Sequence, residues 1–140
     1  MTEAAPTSQT AANGSAALDA GSVIVVGYSA KPEGRAALAR ALAEARAREA
    51  EVVVVHTAAN GEVAELRTEL LSSGVPFELK EAADALDPAE DLITTADARS
   101  AEFIVIGLRK RSPVGKLLLG SNAQRVLLDA SCPVLAVKAE

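Results

Sequence analysis

Between Gly107 and Asn122 the sequence sets glycines, basic side chains and a hydroxyl at intervals suited to holding an anion. The stretch is led by the apolar run Phe103-Ile104-Val105-Ile106. Its residues do not alternate with polar ones, which fits a strand buried on both faces. Gly107 is expected to end that strand, because a backbone without Cβ turns there without a clash. Arg109, Lys110, Arg111 and Lys116 load the following loop with positive charge. Gly120-Ser121-Asn122 is expected to open a helix running to about Asp129. The unpaired N–H groups and the positive dipole end of such a helix both favour phosphate. The same residues also describe a strand, a solvated turn and a helix that bind nothing, so the discrimination rests on the remainder of the chain.

Other chemistries find less support. His56 is the single histidine and Cys132 the single cysteine, so a His-rich metal site is excluded and no Cys/His pair has metal-ligand spacing. His56 follows the apolar run Val52-Val53-Val54-Val55 and reads as a structural residue with an imidazole N–H bonded to backbone. Cys132, just before Pro133, reads as a small buried hydrophobe. Ser29 and Ser121 lack a nucleophile-elbow pattern. Gly115-Lys116 does not complete a phosphate-binding P-loop, since no Ser or Thr follows it. Asp84, Asp87, Glu90 and Asp91 read as the solvated cap and first turn of a helix. No residue is assigned a catalytic role, and turnover is expected to be slow or absent.

Composition narrows the class. A length of 140 residues suits one domain with a core of its own. Hydrophobic residues make up 49% and aromatics 2%, so that core must be built from Ala, Val, Leu and Ile. The net charge of −5 argues against a general nucleic-acid binder and makes the basic Arg109–Lys116 cluster a local exception. One cysteine permits no intrachain disulfide. No apolar run approaches the roughly 18 residues of a membrane span, and the N-terminus lacks a signal-peptide pattern. A cytoplasmic location follows by elimination.

The elements that must position the anion stretch can be read in order. Residues 1–21 lack a period and are expected to be a disordered tail, leaving residues 22–140 as the domain. Strands are expected over Ser22–Tyr28, Glu51–His56, Val75–Lys80 and Cys132–Lys138, besides the one at Phe103. The alternating Val75–Lys80 segment, with Pro76, is expected at a sheet edge. Helices are expected from Glu33 to about Ala50, over Glu62–Ser73, and from Ala89 to about Ser100, the last capped by Asp87 with Pro88 in its first turn. Strands joined by helical crossovers make a five-stranded parallel sheet with helices on both faces, a three-layer α/β sandwich of Rossmann-like topology. Ligands bind such sheets at the carboxyl ends of the strands. Three loops converge there: Gly27-Tyr28-Ser29, His56-Thr57-Ala58, and Gly107 to Lys110.

In this order of elements the anion stretch resembles the universal stress protein family, over about residues 22 to 138. The frame is Gly107-x2-Lys110-x9-Gly120-Ser121, where nucleotide-binding members of that family carry glycine in place of Lys110. Val25-Val26-Gly27-Tyr28, Val54-Val55-His56-Thr57, Leu117-Leu118-Leu119-Gly120-Ser121 and Cys132-Pro133-Val134-Leu135 are similar to the family's text as well. The resemblance implies the adenine nucleotide alpha hydrolase-like fold, a stress-response role, and ATP or AMP as ligand, with no metal beyond the Mg that would accompany ATP. It implies Gly27, Tyr28, Ser29, Thr57, Ile106, Gly107, Arg109, Lys110, Gly120, Ser121 and Asn122 as binding residues. Ser29 stands where binding members have Asp. Ala123 stands where they often have a hydroxyl. Lys110 either blocks the close approach of phosphate or pairs with it. The resemblance further implies a homodimer formed through the strand Cys132–Lys138, whose exposed edge would otherwise be bare. A dimeric scaffold of the same fold that binds no nucleotide is the competing expectation, and a weak nucleotide hydrolase a more distant one.

Overall fold

The computed structural model describes residues 21–83, 87–109 and 119–139. The expected tail, apart from Gly21, lies outside them, as do Asp84, Lys110, Arg111 and Lys116. The elements run β1 (Val23–Tyr28), α1 (Pro32–Arg48), β2 (Glu51–His56), α2 (Asn60–Ser73), β3 (Phe77–Glu81), α3 (Pro88–Arg99), β4 (Phe103–Leu108), α4 (Ser121–Asp129) and β5 (Val134–Lys138). The five strands form one sheet in the order β3-β2-β1-β4-β5. Every pairing is parallel, with Gly27 opposite Val55 and Gly107 opposite Val137. No described helix is long and apolar enough to cross a membrane.

The valine-rich strands bury both faces, as their lack of alternation implied. Ile24, Val26, Val52, Val54 and Val105 pack on one side against α1 residues such as Leu38 and Ala41, and against Leu66 and Leu70 of α2. Val25, Val53, Val55, Ile104 and Ile106 pack on the other against Leu92, Ala96 and Val126 of α3 and α4. The alanine stripe Ala37, Ala41 and Ala45 lets α1 lie close to the sheet, so aromatic bulk is not needed to fill the space.

Several boundaries differ from the sequence reading, each for a local reason. Gly107 does not end its strand: β4 continues through it to Leu108, whose carbonyl accepts the Ala139 N–H at 2.8 Å. Helix α1 stops at Arg48, because Glu49 turns left-handed (φ 56°) and its N–H returns to the Ala45 carbonyl. Helix α2 begins earlier than expected, at Asn60. Glu62 reaches back to accept the Ala59 N–H at 3.0 Å, which secures a turn that Asn60-Gly61 alone would suggest is loop. Ala59 has no side-chain acceptor, so only this half of a capping box exists. Asp87 caps α3 as expected, accepting from the Glu90 N–H at 2.8 Å.

The acidic cluster departs from its expected solvated role. Glu90 pairs with Arg125, but Asp91 is only 1% exposed and holds three elements together. It accepts from Lys80 Nζ at 2.6 Å, from the Ala83 N–H at 2.7 Å and from Thr95 Oγ1 at 3.3 Å. Burial alone would push its carboxyl up. The Lys80 bond and the Ala83 N–H outweigh burial and hold its pKa below the ordinary 3.8. A depressed folded pKa means that Asp91 contributes stability in full above about pH 4, and that this is lost as pH falls through the folded value. Lys80 remains 38% exposed, so the loss on Asp91→Asn should lie near 2 kcal/mol, below the roughly 3–5 of a wholly buried pair. Urea denaturation should give that difference at pH 7 and a shrinking one as pH falls below about 4.

Candidate functional site

In the order β3-β2-β1-β4-β5 the winding direction reverses between β1 and β4. The chain leaves β1 toward β2 and leaves β4 toward β5, on opposite sides, and a crevice opens above their carboxyl ends. A cavity of about 270 Å³ occupies that point. Gly27, Val55 and Ile106 form its floor, with Ala89 and Leu92 of α3 on one wall and Ala123 and Val126 of α4 on the other. Ser29, Thr57, Asn122 and Glu33 supply its polar rim. An apolar floor with a few polar groups is the usual make-up of a small-molecule site.

Of the residues expected to bind, Gly27, Tyr28, Ser29, Thr57, Ile106, Gly107 and Asn122 line this cavity. Arg109, Gly120 and Ser121 are not among its described lining. Lys110 lies outside the described residues. Gly120 caps α4 in extended conformation, and a Cβ built on it meets nothing within 4 Å. The open first turn of α4 reaches the cavity through Asn122 and Ala123. Arg109 turns toward α1: its Nε lies 3.9 Å from Glu33 Oε2.

Glycine at position 107 has a steric reason that the sequence reading did not identify. A Cβ built there would overlap the Glu33 carbonyl oxygen and come within 3.0 Å of Glu33 Cβ. The first turn of α1 therefore lies directly on the end of β4. Gly34 repeats the arrangement one residue on, where a Cβ would overlap the Ser29 backbone and come within 2.7 Å of Ser29 Oγ. Sequence reasoning missed Glu33, Gly34, Ala89 and Val126 as lining residues. The signal available was topological: α1 starts after the first switch-point strand, and α3 and α4 flank the second.

Arg125 braces the two helical walls. From α4 it donates to Asp87 at 3.0 Å and to Glu90, both at the start of α3, and to Asp129 at 3.2 Å. Tyr28 is buried at the cavity edge. Burial pushes its hydroxyl pKa up, Arg35 opposes this, and Glu69, Glu62 and Glu65 reinforce it. His56 is 5% exposed, and by strand alternation it faces the Val52–Val54 side, away from the cavity. Its Nδ1 finds no hydrogen-bond partner among the described residues, so the expected backbone bond is not formed at that atom. Cys132 is half-buried against the α3–α4 side, and burial raises its thiol pKa. Among the described residues no group of His, Cys, Asp or Glu is arranged to hold a metal.

A parallel α/β sandwich with an apolar-floored crevice at its switch point and, among the described residues, no side-chain cap on the helix beside it has the architecture of the Rossmann-like α/β folds. The family model described as "Universal stress protein family" matches residues 22–138. A universal stress protein of Mycolicibacterium smegmatis is 46% identical over 127 residues, covering 83% of this chain and 97% of the relative. The chain therefore belongs to the universal stress protein family. A solved universal stress protein from Archaeoglobus fulgidus superposes with a TM-score of 0.68 at 30% identity, over 84% of this chain and 98% of the other. Another structure from that organism, a universal stress protein in complex with dAMP, gives 0.63 at 24% identity over the same shares, 84% and 98%.

The close approach of α1 and β4 sets a contrast between two glycines of the sequence frame. Gly107→Ala should cost about 3 kcal/mol, because backbone must move. Gly120→Ala, with open space around it, should cost under about 1 kcal/mol. Guanidinium denaturation of the two variants checks the difference.

Proposed function

We propose that the crevice holds an adenine nucleotide, ATP or AMP, or a related phosphate ligand, without efficient turnover, in a cytoplasmic stress-response role. The observation that carries this reading is that one cavity combines an apolar floor with the first turn of α4. A flat base suits Val55, Leu92 and Ile106, while the N–H groups beginning α4 suit a phosphate. The dAMP bound to the Archaeoglobus relative supports it by likeness of fold. The lining supports slow turnover: Glu33 is its one carboxylate among the described residues, and Arg109 stands 3.9 Å from it.

Mass spectrometry of the purified, denatured chain should release an adenine nucleotide, or calorimetric titration with ATP, AMP and cyclic AMP should give saturable binding. Failure with all of them would leave the competing reading, a dimeric scaffold that works through protein partners.

That second reading has its own observation, and the assembly it needs is compatible with either. Ile104 N–H donates to the Pro133 carbonyl and Ala139 N–H to the Leu108 carbonyl, so residues 133 and 139 turn their peptide groups toward β4. With a period of two, Val134, Ala136 and Lys138 present theirs to the free edge. We propose that a second copy pairs there, with two-fold symmetry. Ala136→Pro removes an outward N–H and leaves the β4 ladder intact. Light scattering should find about twice 14.3 kDa for the parent chain and a shift toward monomer for the variant.

A further inference from the structure

The polar rim of the cavity contains one formally charged side chain among the described residues, Glu33. Backbone contacts fix where this side chain starts, and Arg109 beside it orients the rest. The Glu33 carbonyl lies against Gly107, and the Glu33 Cβ would stand 3.0 Å from a Cβ placed at that glycine. Ser29 packs against the next residue, Gly34, so the β1–α1 turn closes from the other side. The Glu33 side chain is only 20% exposed. Arg109 approaches it to 3.9 Å, near enough to orient the carboxylate by charge and too far to hydrogen-bond it.

A carboxylate held at a cavity rim is an acceptor only. It repels phosphate and attracts donors, and its two oxygens suit a pair of neighbouring hydroxyls. The opposite rim, at Asn122 and Ala123 in the first turn of α4, has the reverse preference. The cavity is therefore polarised, with a donor-seeking end at α1 and an anion-seeking end at α4.

We propose that Glu33 is the specificity-determining residue of the crevice, accepting hydrogen bonds from the vicinal hydroxyls of a ribose, with Arg109 as its positioning residue. This rests on the nucleotide reading above and deepens it: the ligand class is a ribonucleoside phosphate bound with sugar toward α1 and phosphate toward α4. A 2′-deoxy sugar lacks one of the two hydroxyl donors that Glu33 seeks, and a 2′,3′-dideoxy sugar lacks both. A neutral amide at position 33 keeps one acceptor oxygen and loses the charge that makes it strong.

The test is a calorimetric cycle on the full chain, with AMP, 2′-deoxy-AMP and 2′,3′-dideoxy-AMP titrated into the parent and into Glu33→Gln. The parent should bind AMP about tenfold or more tighter than the dideoxy compound, the range expected for hydrogen bonds to a charged group. Glu33→Gln should lose about that factor for AMP and little for dideoxy-AMP, so the preference collapses. Circular dichroism confirms that the variant is folded, and the parent's own ranking of the three ligands decides the matter if it is not. Equal parental affinity for AMP and dideoxy-AMP overturns the role of Glu33 while leaving the nucleotide site standing, as does a preference that survives in Glu33→Gln. Absence of binding of all three by the parent overturns the nucleotide reading itself, and this inference with it.

Discussion

The structure depends on a contact between backbones: the carbonyl of Glu33, in the first turn of α1, rests where a side chain on Gly107 would be. That contact fixes how closely the first helix approaches the fourth strand. The crevice sits where the sheet changes winding direction, and its floor is bounded by these two strands. Were α1 to stand off by the width of a methyl group, Glu33, Ser29 and Gly107 would no longer share one rim. The packing of small residues extends the same constraint inward, since Ala37, Ala41 and Ala45 keep the rest of α1 close to the sheet.

Close approach also explains why the site is polarised. The helix tip of α4 and the first turn of α1 face one another across a cavity whose floor at Val55 and Ile106 and whose wall at Leu92 are apolar. A low-polarity floor screens little, so charge at either rim acts strongly on what lies between. Arg109 lies outside the lining and turns to Glu33, and Arg125 lies on the outer surface and ties α3 to α4. Neither arginine fills the cavity. Of the basic cluster that drew attention in the sequence, Arg109 is the residue the structure describes, and it stands beside a carboxylate.

Much of this was legible beforehand. The runs Val23–Tyr28, Glu51–His56 and Phe103–Ile106 showed their burial on both faces through the absence of alternation, and Asp87-Pro88 showed the start of α3 through cap chemistry. The strand ends that form the crevice followed from the βαβ order. What was not legible depended on neighbours distant in sequence. Gly107 looked like a turn residue because the carbonyl that requires it lies in α1. Asp91 looked solvated because its partner Lys80 lies on the preceding strand and its burial comes from packing. The nearness of Arg109 to Glu33 was hidden because no local pattern links the two. Strand period and caps are local properties, whereas close approach and ion pairing are tertiary ones.

The corners at the opposite end of the sheet carry a different consequence. Where α1 hands over to β2 and α3 to β4, Glu49 (φ 56°) and Ser100 (φ 50°) adopt the left-handed conformation without being glycine. Both corners close alike, with Ala50 N–H on Ala45 O and Ala101 N–H on Ala96 O, each at 2.9 Å. Left-handed geometry costs an ordinary residue about 1 kcal/mol or somewhat more, and the chain accepts it twice. The amino ends of the strands thus tolerate side chains in strained turns, whereas the carboxyl ends exclude even a methyl group at two glycines. The molecule is permissive at the base of its sheet and exacting at the top, so substitutions at the base should leave the crevice rim its shape.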